Sequence, residues 1–331
     1  MRVLAGNPHP QVNDPEETDQ AERRAIAASN LRIDAATAEV LRALDAAGVG
    51  ALLVKGASIA RWLYDGTRGY TDADIWIRPG RVQAAERVLD QLGFEKDVDE
   101  SGLPDWWLEH ASAWVRASDR VTVDVHRTLP GLGVDAERAW RILSTDPDTV
   151  EVGGYLAPTL PMPGRALLIA LHAAHHGDAS VKTLTDLERA IELLDERGWR
   201  QTSALARELG AVDAFSTGLR LTPAGAELAE TLGLPANRSV MVALLASGQA
   251  PMAQGFEQLA QARGPWMKAR ILARKVVPPR GFMRHWFPGA ADSRFRLVLA
   301  YIYRPFWLLQ GAPRAWRAWR TARREVRSSR G

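Results

Sequence analysis

Apolar and polar positions follow a helical rhythm first and alternate only later. "DPEE" (Asp14–Glu17) combines an Asp cap, a Pro at the first helical position and acids in the first turn. A helix is therefore expected to start there and run to about Ala47, where Gly48-Val49-Gly50 stops it. Residues 1–13 read as a loose arm. "ALLVK" (Ala51 to Lys55) is short, apolar and followed by Gly, which predicts a buried strand. "ASIARWLY" then predicts a short helix, "DGTRGY" a loop and "DADIWIR" a second strand, and "PGRVQAAERVLDQLG" predicts an amphipathic helix ending at Gly93. After "FEKDV", "SAWVRAS" and "RVTVDVHRTL" are two further extended stretches. From Pro163 onward the pattern is almost wholly helical, and Pro158, Pro161 and Pro163 mark the boundary. The fold class predicted is α+β, a mixed sheet packed on helices and followed by a helical region.

The composition is that of a globular chain: 331 residues, 46% hydrophobic and 24% charged, with a formal charge of only +3. There is no cysteine, which excludes disulfides, thiolate metal sites and cysteine nucleophiles. The N-terminus lacks an apolar signal core, and no run reaches the roughly 18 apolar residues of a spanning helix. A soluble, cytoplasmic protein without a transmembrane segment is expected.

Two aspartates inside a strand need an explanation, because Asp is a poor strand former. Side chains alternate along a strand, so Asp72, Asp74 and Trp76 share one face of "DADIWI" and Ala73, Ile75 and Ile77 the other. "VTVDVH" repeats the split, with Val121, Val123 and Val125 on one face and Thr122, Asp124 and His126 on the other. If the two strands are neighbours, three carboxylates converge, and their repulsion calls for cations between them. Divalent ions with oxygen ligands fit, Mg²⁺ above all where phosphates complete the shell. The plain alternative is a polar sheet face turned to water. Lys55-Gly56 adds a glycine turn where a strand gives way to a helix start, a ready anion site. Arg68 lies in the loop before the acids, placed to clamp phosphate oxygens. Together these residues have the layout of a two-metal transfer site.

The stretch "LLVKGASIARWLY" with "TRGYTDADIWIRPGRVQAAERVLDQLGFE" resembles the polymerase-β-type nucleotidyltransferase superfamily. Within it, the resemblance is to an uncharacterised bacterial nucleotidyltransferase family whose core reads Lys-Gly, Arg, Asp-x-Asp, Gly-aromatic. "VDVHRTL" resembles that family's Asp-x-His strand, and "LLIALHAAHHG" with "LTDLERAIELL" its His-rich and Asp-bearing helices. "PPRGFMRHWFP" and "YIYRPFWLL" resemble its C-terminal region, so the likeness covers about residues 30–310. One departure is that Gly56 is followed by Ala57, where the wider superfamily has Gly or Ser, and the serine comes next, as Ser58.

The resemblance implies an N-terminal arm and helix start over 1–29, a nucleotidyltransferase core over 30–158, a helical domain over 159–310 that completes the cleft, and a basic Trp/Arg tail over 311–331. It implies Mg²⁺-dependent transfer of a nucleoside monophosphate from an NTP such as ATP to a hydroxyl or amine acceptor. Asp72 and Asp74 would hold Mg²⁺ on the triphosphate, and Asp124 would ligate a second ion or help activate the acceptor. Lys55, Gly56, Ser58 and Arg68 would contact the phosphates during in-line attack on the α-phosphate. Family members are linked to peptide natural-product or cell-surface biosynthesis, which points to a small-molecule or peptide acceptor. A non-catalytic nucleotide-binding module and a toxin-like enzyme acting on tRNA are the alternatives.

In "HAAHH", His172 and His176 are one helical turn apart, with Asp186 on the next helix. The pair reads as a metal site, as a buried polar layer, or as contacts from a helix roofing the cleft, and the resemblance favours the last. His126 shares the face of Asp124 and joins the nucleotide-binding set. The tail "APRAWRAWRTARREVRSSRG" carries seven arginines and one glutamate, with Trp316 and Trp319 three apart. It reads as a terminal helix packed on the body, as a peripheral contact with membrane or a lipid-linked acceptor, or, less favoured, as a nucleic-acid contact.

Overall fold

The computed structural model describes residues 15–97, 110–177, 180–236, 240, 243–244, 251–262, 264–290 and 293–328. The expected arm over residues 1–13 and the Asp14 cap lie outside the described residues. Helix α1 (Pro15–Ala46) leads through Gly48 into β1 (Ala51–Leu53), α2 (Ala57–Tyr64), β2 (Asp72–Ile77) and α3 (Val82–Gln91). β3 (Phe94–Lys96), β4 (Ala111–Arg116) and β5 (Val121–His126) follow. Next come α4 (Ala136–Leu143), β6 (Asp148–Val152) and β7 (Tyr155–Thr159). The α+β class expected from the sequence is the class observed. β1 is shorter than "ALLVK", which leaves Lys55 in the turn that follows. The pattern reading did not single out α4 or the β6–β7 hairpin.

The seven strands of the described residues form one mixed sheet in the order β3-β4-β5-β2-β1-β7-β6. β2 and β5 are neighbours and run parallel, with Asp72 opposite Thr122, Asp74 opposite Asp124 and Trp76 opposite His126. The other sheet pairings are antiparallel except that of β1 with β7.

Neither face of the central strands is turned to water. On one side Ala73, Ile75, Ile77, Val121, Val123 and Val125 pack against Ile33, Val40 and Leu41 of α1 and Val88 and Leu89 of α3. On the other, Leu52, Val54 and Trp76 join a second core with Ile59 and Leu63 of α2, Leu143 of α4 and the apolar body of α5 (Met162–His176). Trp76, on the face that also bears the aspartates, is fully buried, its ring 4.9 Å from that of Trp140 in an edge-on contact. The solvated-face reading of these strands is thereby corrected: helices cover the polar face, and the carboxylates sit where that cover opens into a cleft.

Helices α6 (Val181–Leu193), α7 (Glu196–Glu208), α8 (Val212–Leu219) and α9 (Pro223–Thr231) follow α5, then α10 (Pro251–Gln261), α11 (Pro265–Val276), α12 (Arg280–Trp286) and the long α13 (Arg294–Ser328). Of the two tail tryptophans, Trp319 is buried and donates its indole N–H to Glu257 of α10 at 2.7 Å, while Trp316 is 41% exposed.

A polar knot ties α1 to the loop that precedes β2. Asn30 donates to the carbonyls of Gly66 and Arg68, and its own side-chain oxygen accepts from the Tyr70 amide. Asp34, 5% exposed, accepts from the Tyr70 hydroxyl and from Arg61 of α2. The loop carrying Arg68 is thus braced by a buried network. Removing one partner of a buried, hydrogen-bonded charge strands the other, so Asp34→Ala is expected to lower stability by about 3 kcal/mol. Urea denaturation of wild type and variant measures this, and a loss within error of zero would mean the knot is not holding the loop.

Candidate active site

Gly56 makes the turn between β1 and α2. Its φ of +58° lies in the left-handed region, and a Cβ there would meet the Asp72 carbonyl oxygen at 3.0 Å. Glycine is thus required both for the backbone angle and for the close approach to β2. α2 starts without a side-chain cap, and the Ser58 N–H of its first turn donates to the Lys55 carbonyl at 3.2 Å.

The parallel register of β2 and β5 brings Asp72, Asp74 and Asp124 to one cleft of about 390 Å³, together with Lys55, Gly56 and Arg68. Asp74 is 5% exposed. Lys55 Nζ lies 2.9 Å from its Oδ1, and His126 Nε2 donates to the same oxygen at 2.8 Å. Burial alone would raise the Asp74 carboxyl, but the hydrogen bond from His126 and the charge of Lys55 outweigh it and hold the group well below the usual carboxylate range. Its neighbours go the other way. Burial and the charge of Asp74 raise Asp72. Asp124 is pushed up to about 6 by burial and the charges of Asp74 and Asp72.

The structure does not bring two sequence-nominated residues onto the cleft wall. Ser58 is fully buried, its hydroxyl 2.9 Å from that of Thr159, so it fastens α2 to β7. His126 is 1% exposed and spends its Nε2–H on Asp74, which makes it a support for that carboxylate. Arg68 does line the cleft and is held from the far side. Its Nη2 donates to Asp186 of α6 at 2.7 Å, and the other oxygen of Asp186 accepts from the Tyr64 hydroxyl at 2.8 Å. Arg68 Nε is buried and has no partner.

The end of α5 brings His172, His175 and His176 over the cleft. The His172 and His176 rings are 4.4 Å apart and edge-on, as expected for positions one turn apart. His172 is pushed down to about 2 by burial, with Lys55 and His176 adding to the effect. The pattern reading missed His110 and Lys182, which also line the cleft. His110 precedes β4, and the pairing of Ala111 with His126 sets it beside β5, its ring 5.6 Å from that of His126. No sequence signal marks it, because only strand register places it there. Lys182 had a visible signal, the i, i+4 spacing to Asp186 on α6.

Among the described residues no group of three or more His, Cys, Asp or Glu side chains closes around a point as a complete metal cage. The carboxylates are hard oxygen donors, and neither Asp72 nor Asp124 accepts a hydrogen bond from a described residue. That donor set fits Mg²⁺, which binds through one or two carboxylates and takes its remaining ligands from phosphate and water.

The histidines carry a pH signature. Burial, with His126 and His175 nearby, brings His110 down to about 4, and His175 and His176 are also lowered. Below about 6.5 the unfolded chain protonates at these positions while the folded chain does not, so stability is lost as pH falls from 6.5 toward 4. Asp124, raised to about 6, contributes in the opposite sense over the same range, and the raised Asp72 carboxyl acts in the same direction as Asp124. The difference between wild type and His172→Gln isolates the histidine: the variant is expected to lose less stability between pH 7 and 5, read as thermal midpoints. Identical pH slopes would show that His172 is not held neutral.

Residues 8–224 match the profile of a family described as uncharacterised nucleotidyltransferase. No curated protein matches the chain. Among solved structures, the chain is similar to the antibiotic-resistance factor ANT(2'')-Ia in solution, at 14% identity and a TM-score of 0.35 over 53% of this chain and 91% of that one. It is also similar to the lincosamide antibiotic adenylyltransferase LnuA in its lincomycin-bound form, at 13% identity and a TM-score of 0.34 over 47% and 94%. A third likeness is to an antigenic nucleotidyltransferase-like protein from Paracoccidioides brasiliensis, at 13% identity and a TM-score of 0.36 over 55% and 94%. The family match takes in the glycine turn, all three aspartates and the helix that roofs them, and on it the chain belongs to the uncharacterised nucleotidyltransferase family.

Proposed function

We propose that the cleft transfers a nucleoside monophosphate from an NTP to a hydroxyl or amine acceptor in a Mg²⁺-dependent reaction. The observation that carries this is the meeting of Asp72, Asp74 and Asp124 in one cleft beside the Lys55-Gly56 turn and Arg68. A nucleotide-binding module would have no need of three carboxylates that repel one another.

Asp72 and Asp74 would hold Mg²⁺, with Asp124 taking a second ion. When bound, the ions neutralise triphosphate charge and make the α-phosphorus more electrophilic. The chain's own groups divide the remaining tasks. Lys55, 2.9 Å from Asp74 at the glycine turn, would be able to turn to the phosphates where a cation held that carboxylate. The uncapped start of α2 and the Arg68 guanidinium, steadied by Asp186 and Tyr64, bind the β- and γ-phosphates. Where it is not holding an ion, Asp124 would instead take the proton of the attacking group from its place on the cleft wall. The acceptor oxygen or nitrogen forms a bond to the α-phosphorus, the bond to the bridging oxygen breaks, and pyrophosphate leaves. His110, His172 and His175, with lowered pKa values, roof the site without adding positive charge, which suits contact with a base or a neutral acceptor.

Pyrophosphate release from each NTP with Mg²⁺, against water alone and a panel of amino-alcohol, sugar and peptide acceptors, tests the assignment. Asp124→Asn is expected to keep NTP binding and to lose about 100-fold or more in turnover. An Asp124→Asn variant as fast as wild type would refute the role given to Asp124, and no release with any NTP would refute transfer itself.

A further inference from the structure

The C-terminal helices present a face that the cleft does not use. One side of α13 is buried: Leu297, Ala300 and Arg304 pack toward α12. The Arg304 guanidinium lies 4.6 Å from the Phe282 ring and 4.7 Å from the Trp286 ring, and its Nε donates to the Lys275 carbonyl of α11 at 2.9 Å. The opposite side carries Phe295, Leu299, Ile302, Phe306 and Leu309, exposed by 71%, 46%, 57%, 60% and 70%. Steps of three and four residues put these five side chains on a single stripe about 20 Å long. Beyond Gln310 the same helical phase continues as Arg317, Arg320 and Arg324, all exposed. α11 buries no side chain and holds Trp266 80% exposed.

Charge selects the partner. From Pro265 to Arg324 the chain has fourteen Lys or Arg and a single acid, Asp292. A second copy would bring the same positive charge against this face. Nucleic acid matches the charge and can stack on Phe295 and Phe306, but it has no counterpart for Leu299, Ile302 and Leu309 interleaved with them. An anionic lipid surface matches both, with an acyl boundary for the stripe and phosphates for the arginines. No helix among the described residues is long and apolar enough to cross a membrane, so the contact would be parallel to the surface.

We propose that the exposed face of α13, with α11 beside it, docks the protein on an anionic bilayer, Phe295 to Leu309 entering the interface and Arg317, Arg320 and Arg324 engaging lipid phosphates. This extends the membrane contact inward from the 311–331 tail to residues 295–309 and keeps only exposed arginines of the tail, where Trp319 is committed to Glu257.

Co-sedimentation of the full chain with vesicles of phosphatidylcholine, alone or mixed with phosphatidylglycerol, tests it. Wild type is expected to pellet with the anionic vesicles and to be released by salt. Ile302→Asp with Phe306→Asp should weaken partitioning about tenfold or more. Arg317→Gln and Arg320→Gln, at exposed positions that leave the fold intact, should weaken it about fivefold each on anionic vesicles only. Wild type remaining in the supernatant with both vesicles, or variants pelleting like wild type, would overturn the proposal. So would a dimer in light scattering that the Ile302→Asp, Phe306→Asp chain loses, since the face would then belong to a second copy.

Discussion

A carboxylate held charged while almost completely buried is the constraint around which this site is organised. Asp74 is 5% exposed, and an unpaired charge there would cost several kcal/mol. Two elements remote in sequence supply the compensation: Lys55 from the turn after β1 and His126 from β5. Both must arrive at the same oxygen, so β1, β2 and β5 have to be adjacent and in register before Asp74 can stay ionised. Apolar packing on both sides of the sheet fixes that register, because a slip of one residue would turn Ile75 and Val123 out of the core. Asp72 and Asp124 inherit the consequence. Burial raises both, and the charge on Asp74 adds to it.

The helical region is part of the same arrangement. Asp186 of α6 holds Arg68, which comes from the loop before β2, and Tyr64 at the end of α2 closes the triangle. An arginine on the cleft wall is therefore aimed by a carboxylate from the helical region. α1 braces the same loop from the opposite side through Asn30 and Asp34. An arginine fixed from both ends loses little freedom when it meets an anion, which favours binding.

Much of this was legible in the sequence, for identifiable reasons. "DADIWI" and "VTVDVH" carry a period of two strong enough to assign faces, and the strands are observed over those residues. The Lys-Gly pair marked the turn, since only glycine tolerates its backbone angle. The β6–β7 hairpin was missed although Gly153-Gly154, both with positive φ, is a strong turn signal between extended runs. Pattern reading could not separate residues in the cleft from residues that support it. Ser58 and His126 have the right chemistry and the right strand or helix, but packing turns one toward Thr159 and the other toward Asp74. His110 became visible only through the antiparallel pairing of β4 with β5. The tail was read as one basic unit, yet Trp319 is buried on Glu257 while Trp316, one turn away on the same side with its ring 4.6 Å from that of Trp319, is 41% exposed.

The central claim is that Asp74 exchanges Lys55 for a metal ion that arrives with a triphosphate. Calorimetric titration of each NTP, with and without Mg²⁺, into wild type and Asp74→Asn tests it most directly. The account requires binding that depends on Mg²⁺, little uptake of Mg²⁺ alone, and loss of the Mg²⁺-dependent component in the variant. NTP binding that is indifferent to Mg²⁺, or unchanged in Asp74→Asn, would contradict it.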